Sequence, residues 1–360
     1  MNKKSNMAVH GGRRREFADK YGLQSSEIID FSVNINPLGP SPAAVSAIKN
    51  SLNRIIDYPD GDILEFKKSI AAYNGVNRDN IVVGNGSIEL IYSLMSLFRP
   101  KHAVVIAPTF TEYERAAGLS GAKVKNVFLT GNYQNLSSID SINSDESDII
   151  FICNPNNPTG ALYGTDEIEN LSRSVPNAIV VIDEAFMDFI NRERDYSFTL
   201  KAVAGTRFIV LRSLGKFFAL AGLRLGYLIT DKETAAYLAL RQPPWNINNL
   251  TIAAAMASIN DKEYITYSQK TCRLLREDLY KRLTSIKKLK VYSSHANFFL
   301  VKILKAKFSA DMLQDKLAAD NILIRTASDF KGLNESYFRL AVRDETDNRF
   351  LAEKLGEILA

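Results

Sequence analysis

Lys216 sits in the run RSLGKFFALAGLRLGY (Arg212 to Tyr227), among Phe, Leu and Ala, with Ser213 before it and Arg224 after it. Burial disfavours a charged amine, so a lysine in such a setting tends to lose its proton and become a nucleophile toward an aldehyde. Asp183 ends the apolar run VVID. A carboxylate there must be paired or hydrogen-bonded, because an isolated buried charge is costly. Upstream, GNGSIEL (Gly84 to Leu90) puts glycines and Ser87 where a strand pattern turns into a helix pattern. Exposed N–H groups at such a helix start can cradle a phosphate, and the serine adds a hydroxyl. NPNNPTG (Asn154 to Gly160) follows the apolar run DIIFIC. Each segment alone has a plainer reading as a turn or a strand end.

The elements that must hold these residues alternate. From residue 81, seven short runs read as strands: Ile81 to Val83, Ala103 to Ile106, Lys123 to Phe128, Asp148 to Cys153, Ala178 to Ile182, Phe208 to Leu211 and Leu225 to Ile229. Several are continuous Val/Ile/Phe, as expected for strands covered on both faces. Helical patterns such as Ser87 to Leu97 and Asp166 to Ser174 lie between them. Alternation of this kind predicts an α/β layer on a mostly parallel sheet, with ligands at the carboxyl ends of its strands. The chemistry-bearing segments all follow such runs. The last hundred or so residues differ, with a long helical pattern from Asp261 to Thr284, then Lys290 to Tyr292, Phe298 to Ile303, a helix from Ser309, and Tyr337 to Ala341. They predict a smaller α+β domain. The expected divisions are an arm over 1–42 that joins the small domain and the active site, a large domain over 43–250 and a small domain over 251–360.

Composition limits the alternatives. The chain has 360 residues, 46% apolar and 24% charged, which is enough for a substantial core and ordinary for a globular protein. The basic N-terminus has no apolar run behind it, so no secretory signal is expected, and no apolar stretch approaches the roughly 20 residues of a membrane span. Cys153 and Cys272 show neither metal spacing nor a disulfide framework, which fits a reducing cytoplasm and no metal site. A net charge of +5, spread along the chain, argues against nucleic acid and mildly favours an anionic small substrate.

An aldehyde-binding amine, an anion cradle reinforced by Ser213 and Arg224, and a carboxylate suited to a protonated ring nitrogen together describe a site for pyridoxal 5′-phosphate (PLP). The ordered set GNGS, NPNNPTG, DEAF and SLGKFFALAGLRLGY resembles the fold-type I PLP enzymes with the aminotransferase-like fold, in the branch that contains histidinol-phosphate aminotransferases. The resemblance spans essentially the whole chain. It implies that Lys216 holds the cofactor covalently and later moves protons, and that Asp183 pairs with the ring nitrogen. It also implies that Asn157 bonds the ring's 3′-oxygen and that Phe110, in APTFTEY, stacks on the ring. Gly86, Ser87, Ser213 and Arg224 would take the cofactor phosphate. Tyr58, in DYPDG, would reach that phosphate from a neighbouring copy, which implies a homodimer; YPDG also reads as a plain turn. Arg339, in YFRLAVR, would bind the substrate's α-carboxylate.

Fold does not select the reaction. HGG at His10 to Gly12, the following RRREFADKYGL, DFSVNINPLGP at Asp30 to Pro40, and RQPPWNINNLTIAA at Arg241 to Ala254 resemble the L-threonine-O-3-phosphate decarboxylases of cobalamin biosynthesis more closely. Phe186 adds to this, standing where the aminotransferases usually carry tyrosine. That resemblance implies that His10, Gly11, Asn34 and Asn157 contact a phosphorylated amino acid, with Arg325 (in ILIRTAS) on its phosphate. A planar guanidinium suits that task. Competing readings are a solvated basic tail for HGGRRR, a packing role for Phe186, and Arg343 in place of either arginine. The expected reaction turns O-phospho-L-threonine into (R)-1-amino-2-propanol O-2-phosphate and CO2. The alternatives are O-phospho-L-serine decarboxylation to ethanolamine phosphate, and histidinol-phosphate transamination. A PLP-fold sensor domain of a transcriptional regulator would need an added DNA-binding segment, for which the first forty to sixty residues leave no room.

Overall fold

A computed structural model describes residues 10–59, 63–139, 142, 147–205 and 207–360. The start MNKKSNMAV, and Asp60 and Gly61 of DYPDG, lie outside the described residues. The strands in chain order are β1 (Ile29–Asp30), β2 (Ile81–Gly84), β3 (His102–Ala107), β4 (Lys123–Phe128), β5 (Ile149–Cys153), β6 (Ile179–Asp183) and β7 (Phe208–Ser213). They continue with β8 (Gly226–Ile229), β9 (Leu289–Val291), β10 (Phe298–Ile303), β11 (Ile322–Leu323), β12 (Arg325–Thr326) and β13 (Tyr337–Ala341).

Seven strands form one sheet in the order β2-β8-β7-β6-β5-β3-β4, in which β8 alone runs against its neighbours. Its inner strands are apolar on both faces because both are covered, while the edge strand β4 (KVKNVF) keeps its polar residues toward solvent. Val104, Ile106, Ile152 and Ile182 pack on one side with Ile70, Ile168 and Ala254 from three helices. Val105, Phe151, Val181 and Ile209 pack on the other with Leu90, Ala116 and Leu238 from three more. Each such side chain, fully buried, contributes about 1.5–3 kcal/mol. After β3 the chain runs to the edge strand β4, then returns to β5 and winds the opposite way. That reversal opens a crevice at the carboxyl ends of β3 and β5, the usual place for a ligand in such a sheet.

A second, antiparallel sheet in the order β12-β13-β10-β9 packs against the helices Lys262–Thr284, Ala310–Leu317 and Glu345–Leu359 through Leu279, Leu313 and Leu351. Side chains cap the first turns of these helices: Asp261 accepts from Tyr264 N, Ser309 from Met312 N and Asp344 from Asp347 N. The N-terminal arm links the two layers. β1 pairs with β11, and Phe31 enters the core beneath the second sheet. A few residues later the Asn36 N–H donates to the Lys216 carbonyl at 3.0 Å, and its side chain donates to the Phe217 carbonyl at 2.8 Å. The arm therefore crosses between the layers beside the lysine loop.

Candidate active site

A cavity of about 580 Å³ opens at the carboxyl edge of the large sheet, bounded by Asp183, Lys216, Phe110, Ser87, Arg339 and His10. Its deep end is built from strand ends. Asp183, the last residue of β6, accepts from the Tyr113 hydroxyl at 2.6 Å and from the Ala185 N–H at 3.0 Å. Tyr113 is held flat against Phe151, with centroids 4.9 Å apart and 5° between the planes. Burial pushes the Tyr113 phenol well above its usual range, so it stays a donor. Burial also raises the Asp183 carboxyl, opposed by the Tyr113 and Ala185 hydrogen bonds and the Lys216 charge. Lys216 is held down at about 8, first by burial and then by the Arg339 and Arg224 charges, against the pull of Asp183. An amine so placed is available as a nucleophile near neutral pH.

The anion cradle lies where β2 passes into the helix Gly86–Phe98. The side chain of the N-cap residue Asn85 makes no capping bond, and Glu89 takes the Asn85 N–H at 2.6 Å, which leaves the N–H groups of the helix's first residues without a capping acceptor among the described residues. Gly86 has φ +76°, and a Cβ there would sit 2.9 Å from the Arg224 guanidinium. The reversed strand β8 begins against the same turn, and a Cβ on Gly226 would fall 2.3 Å from Ser87 N. Ser213 ends β7 and faces this corner with Ser87 and Arg224.

The mouth draws on distant parts of the chain. Asn157 Oδ1 accepts from Arg339 Nη1 at 2.6 Å, which fixes the orientation of the Asn157 amide and leaves its N–H groups as donors. Arg339 also donates to the Ser32 carbonyl at 2.6 Å. Its Nε and the Asn34 Oδ1 are buried with no hydrogen-bond partner among the described residues. Burial, then the nearby Arg325 charge, lowers Arg339 to about 9. His10 and Gly11 line the outer wall beside Phe110.

Three assignments from sequence fall outside the cavity wall. Arg325 stands directly across the β12–β13 pair from Arg339, bonded to Asp329 at 2.6 Å and to the Thr326 carbonyl, with its guanidinium over Phe330. Tyr58 is 77% exposed and stacks on Trp245. Arg343, the rival for either arginine role, donates to Asp347 and to the Asp30 carbonyl. Phe186 lines the cavity and meets Phe298 edge-on. Sequence reasoning missed Tyr113, Glu112, Tyr92, Ser32 and Gly226. Tyr113 and Glu112 follow Phe110 in APTFTEY, Ser32 lies in DFSVNINPLGP and Gly226 in RSLGKFFALAGLRLGY, whereas Tyr92 had no motif around it.

The residues present fit PLP. A glycine turn that a Cβ would fill, a lysine of lowered pKa, a buried carboxylate and buried polar atoms still lacking partners are its requirements in chemical terms. Lysine, carboxylate and anion cradle at the carboxyl edge of a mostly parallel sheet define the class, a PLP enzyme of the aminotransferase fold. The Aminotransferase class I and II family matches residues 26–355. Over 360 residues the chain is 33% identical to a threonine-phosphate decarboxylase of Salmonella typhimurium, covering 98% of this chain and 97% of that one. It is also 33% identical, over 357 residues, to a histidinol-phosphate aminotransferase of Methanothermobacter thermautotrophicus, covering 98% and 94%. A histidinol-phosphate aminotransferase of Sinorhizobium meliloti, solved with pyridoxal-5′-phosphate, shares the fold at a TM-score of 0.88 and 20% identity over 98% and 95% of the two chains. The chain belongs to the class I and II aminotransferase family, and its cofactor is PLP. No helix among the described residues is long and apolar enough to cross a membrane.

Proposed function

We propose that the protein decarboxylates O-phospho-L-threonine to (R)-1-amino-2-propanol O-2-phosphate and CO2, the reaction that supplies the aminopropanol arm of cobalamin. The observation that carries this reading is the mouth. The His10–Gly11 segment, whose likeness is to the decarboxylases, closes over a wall holding Asn34 and an Arg339 that has no carboxylate bonded to it among the described residues. Such a wall suits a substrate bearing both a carboxylate and a phosphate.

PLP, when bound, supplies an aldehyde for the substrate's amine and a ring that accepts the electron pair left as the Cα–carboxylate bond breaks. Lys216 holds the cofactor at rest and afterwards delivers a proton to Cα. Asp183, fixed by Tyr113, keeps the ring nitrogen protonated. Asn157, its oxygen taken by Arg339, donates to the 3′-oxygen. Phe110 stacks on the ring, and Gly86, Ser87, Ser213 and Arg224 bind the cofactor phosphate. Arg339 orients the carboxylate that leaves. His10, Gly11 and Asn34 contact the phosphorylated end, and Arg325 takes the phosphate by exchanging Asp329 for it. Tyr58 serves the site of a second copy, within a homodimer.

The test is product analysis of PLP-loaded protein given O-phospho-L-threonine without any 2-oxo acid, with O-phospho-L-serine in parallel. Aminopropanol phosphate with catalytic CO2 release is expected. Faster formation of ethanolamine phosphate would move the reading to the serine substrate; the two differ by one methyl, worth about 1–3 kcal/mol. A second reading, histidinol-phosphate transamination, draws on the equal identity to that relative. Amino exchange between histidinol phosphate and 2-oxoglutarate, with no amine from either phosphoamino acid, would replace the first reading by the second.

A further inference from the structure

The strap over the cavity mouth is anchored by a residue to which the proposed reaction gives no task. His10 Nε2 lies 2.8 Å from Glu112 Oε1, and two residues on, the Gly12 N–H donates to Ser32 Oγ at 2.8 Å. The segment is thus tied at one end to the first residue of the helix Glu112–Leu119 that follows β3 and at the other to the N-terminal arm. Between the ties, Gly11 passes so close to the arm that a Cβ would fall 2.1 Å from the Ser32 carbonyl oxygen. The carbonyl it touches is the one that accepts from Arg339.

Glu112 is held more firmly than a helix-start acid requires. A carboxylate in the first turn is already favourable in water, through the helix dipole. Here it is 4% exposed at the cavity edge, with its second oxygen accepting from the Tyr92 hydroxyl at 2.7 Å and from Arg115 Nη1 at 3.2 Å. Burial would raise its pKa, but the hydrogen bonds from Tyr92, His10 and Arg115 outweigh burial and hold it below the usual range. Its neighbour Tyr113 is committed to Asp183. One helix turn therefore fixes the deep end through Tyr113 and faces the mouth through Glu112.

We propose that Glu112 is a positioning residue that latches His10, and with it the Gly11 backbone, over the cavity mouth so that the strap closes on a phosphorylated substrate. The clause about the substrate rests on the function proposed above; the latch itself does not. Tyr92 and Arg115 hold the latch in place, and Ser32 supplies the opposite tie.

Two measurements on PLP-loaded protein test this. The first is the rate of tryptic cleavage after Arg13, Arg14 and Arg15, which directly follow the strap. It reads the open population without using any substrate. Glu112→Ala and His10→Ala should each raise it about tenfold, since losing about 1.4 kcal/mol of closure multiplies the open fraction by ten. Glu112→Gln, which keeps an acceptor for His10, should restore most of the protection. The second is a double-mutant cycle on the KM for O-phospho-L-threonine. Each single variant should raise KM about tenfold with a smaller change in kcat, and the double variant should be no worse than His10→Ala alone. Unchanged cleavage in both single variants overturns the latch. So does a double variant whose KM loss is the product of the two single losses, because Glu112 then acts independently of His10. If Glu112→Ala does not fold, His10→Ala carries the cleavage arm and an unchanged rate there is decisive. If no amine forms from O-phospho-L-threonine, the reading of the substrate has failed; cleavage still judges the latch, and the cycle is run with histidinol phosphate.

Discussion

Arg212 and Arg339 are both nearly inaccessible, at 1% and 6% exposure; Arg212 lies in β7, whose last residue Ser213 lines the cavity, and Arg339 lines it from within β13. Their surroundings are opposite. Arg212 faces three carboxylates, with Nε 2.9 Å from Glu184 and Nη1 3.0 Å from Glu193 and 3.4 Å from Asp188. Burial works against its charge, but Glu193, Glu184 and Asp188 outweigh burial and push its pKa well above the usual value. Among the described residues Arg339 hydrogen-bonds only the neutral oxygens of Asn157 and Ser32, lies over the Phe298 ring, keeps an unpaired Nε and has a second arginine across the strand pair, with Asp329 and Asp30 acting on it only through their charge. Its pKa falls to about 9. One arginine has its anions built into the fold. The other is a buried cation still short of one, which is how a protein holds a place for an anionic substrate.

Removing each cation should therefore damage different properties. Arg212→Met leaves two buried carboxylates, Glu184 and Asp188, and the partly exposed Glu193 uncompensated and should cost about 3–5 kcal/mol of stability, measured by denaturant unfolding. Arg339→Met should lose far less stability but about 2–5 kcal/mol of substrate recognition, read as kcat/KM. Equal loss of stability in both variants would erase the contrast.

The acid cluster should also leave a pH signature. Glu184 is raised to about 7 and Asp188 to about 6, by burial in spite of Arg212. Folded protein then binds protons that unfolded chain has released, so this stabilisation is full below the unfolded values near 4 and is lost as pH rises through 6 and 7. Glu184→Gln should flatten that fall, a difference on the order of 1–3 kcal/mol between pH 4 and 8. An identical slope in the variant would place the buried proton elsewhere. The smallest effect is expected at Asp329, 28% exposed on its side chain. If Arg325 exchanges this partner for phosphate, Asp329→Asn should lower KM a few-fold, about 0.5–1 kcal/mol. A raised KM would mean that Asp329 positions Arg325 instead.

Much of this was legible in the sequence. The runs Lys123–Phe128, Phe298–Ile303 and Tyr337–Ala341 are strands with those same bounds, the first by its alternation of Val and Phe with polar residues and the other two by their β-branched, aromatic and Leu content. Lys216, Asp183, Asn157, Phe110, Ser87, Gly86, Ser213 and Arg224 line one cavity because each follows or ends a strand of one sheet, or precedes the reversed strand at the same edge. Placement of the mouth was harder to read. Arg325 falls in a strand-like run, but nothing local says that Asp329 and Thr326 occupy its guanidinium. Glu112 looks like an ordinary helix-start acid until His10 and Tyr92 arrive from other parts of the chain.

The sequence by itself determined the class of chemistry, since the lysine, the carboxylate and the glycine turn are each tied to a strand end by local pattern. It also put Arg339 inside the strand run Tyr337 to Ala341 and Arg212 directly after the run Phe208 to Leu211. Only the tertiary structure decided what each cation meets there. Strand alternation fixes the face on which a side chain emerges, and the charges across from that face belong to residues distant in sequence, placed by the order in which strands pair and helices pack.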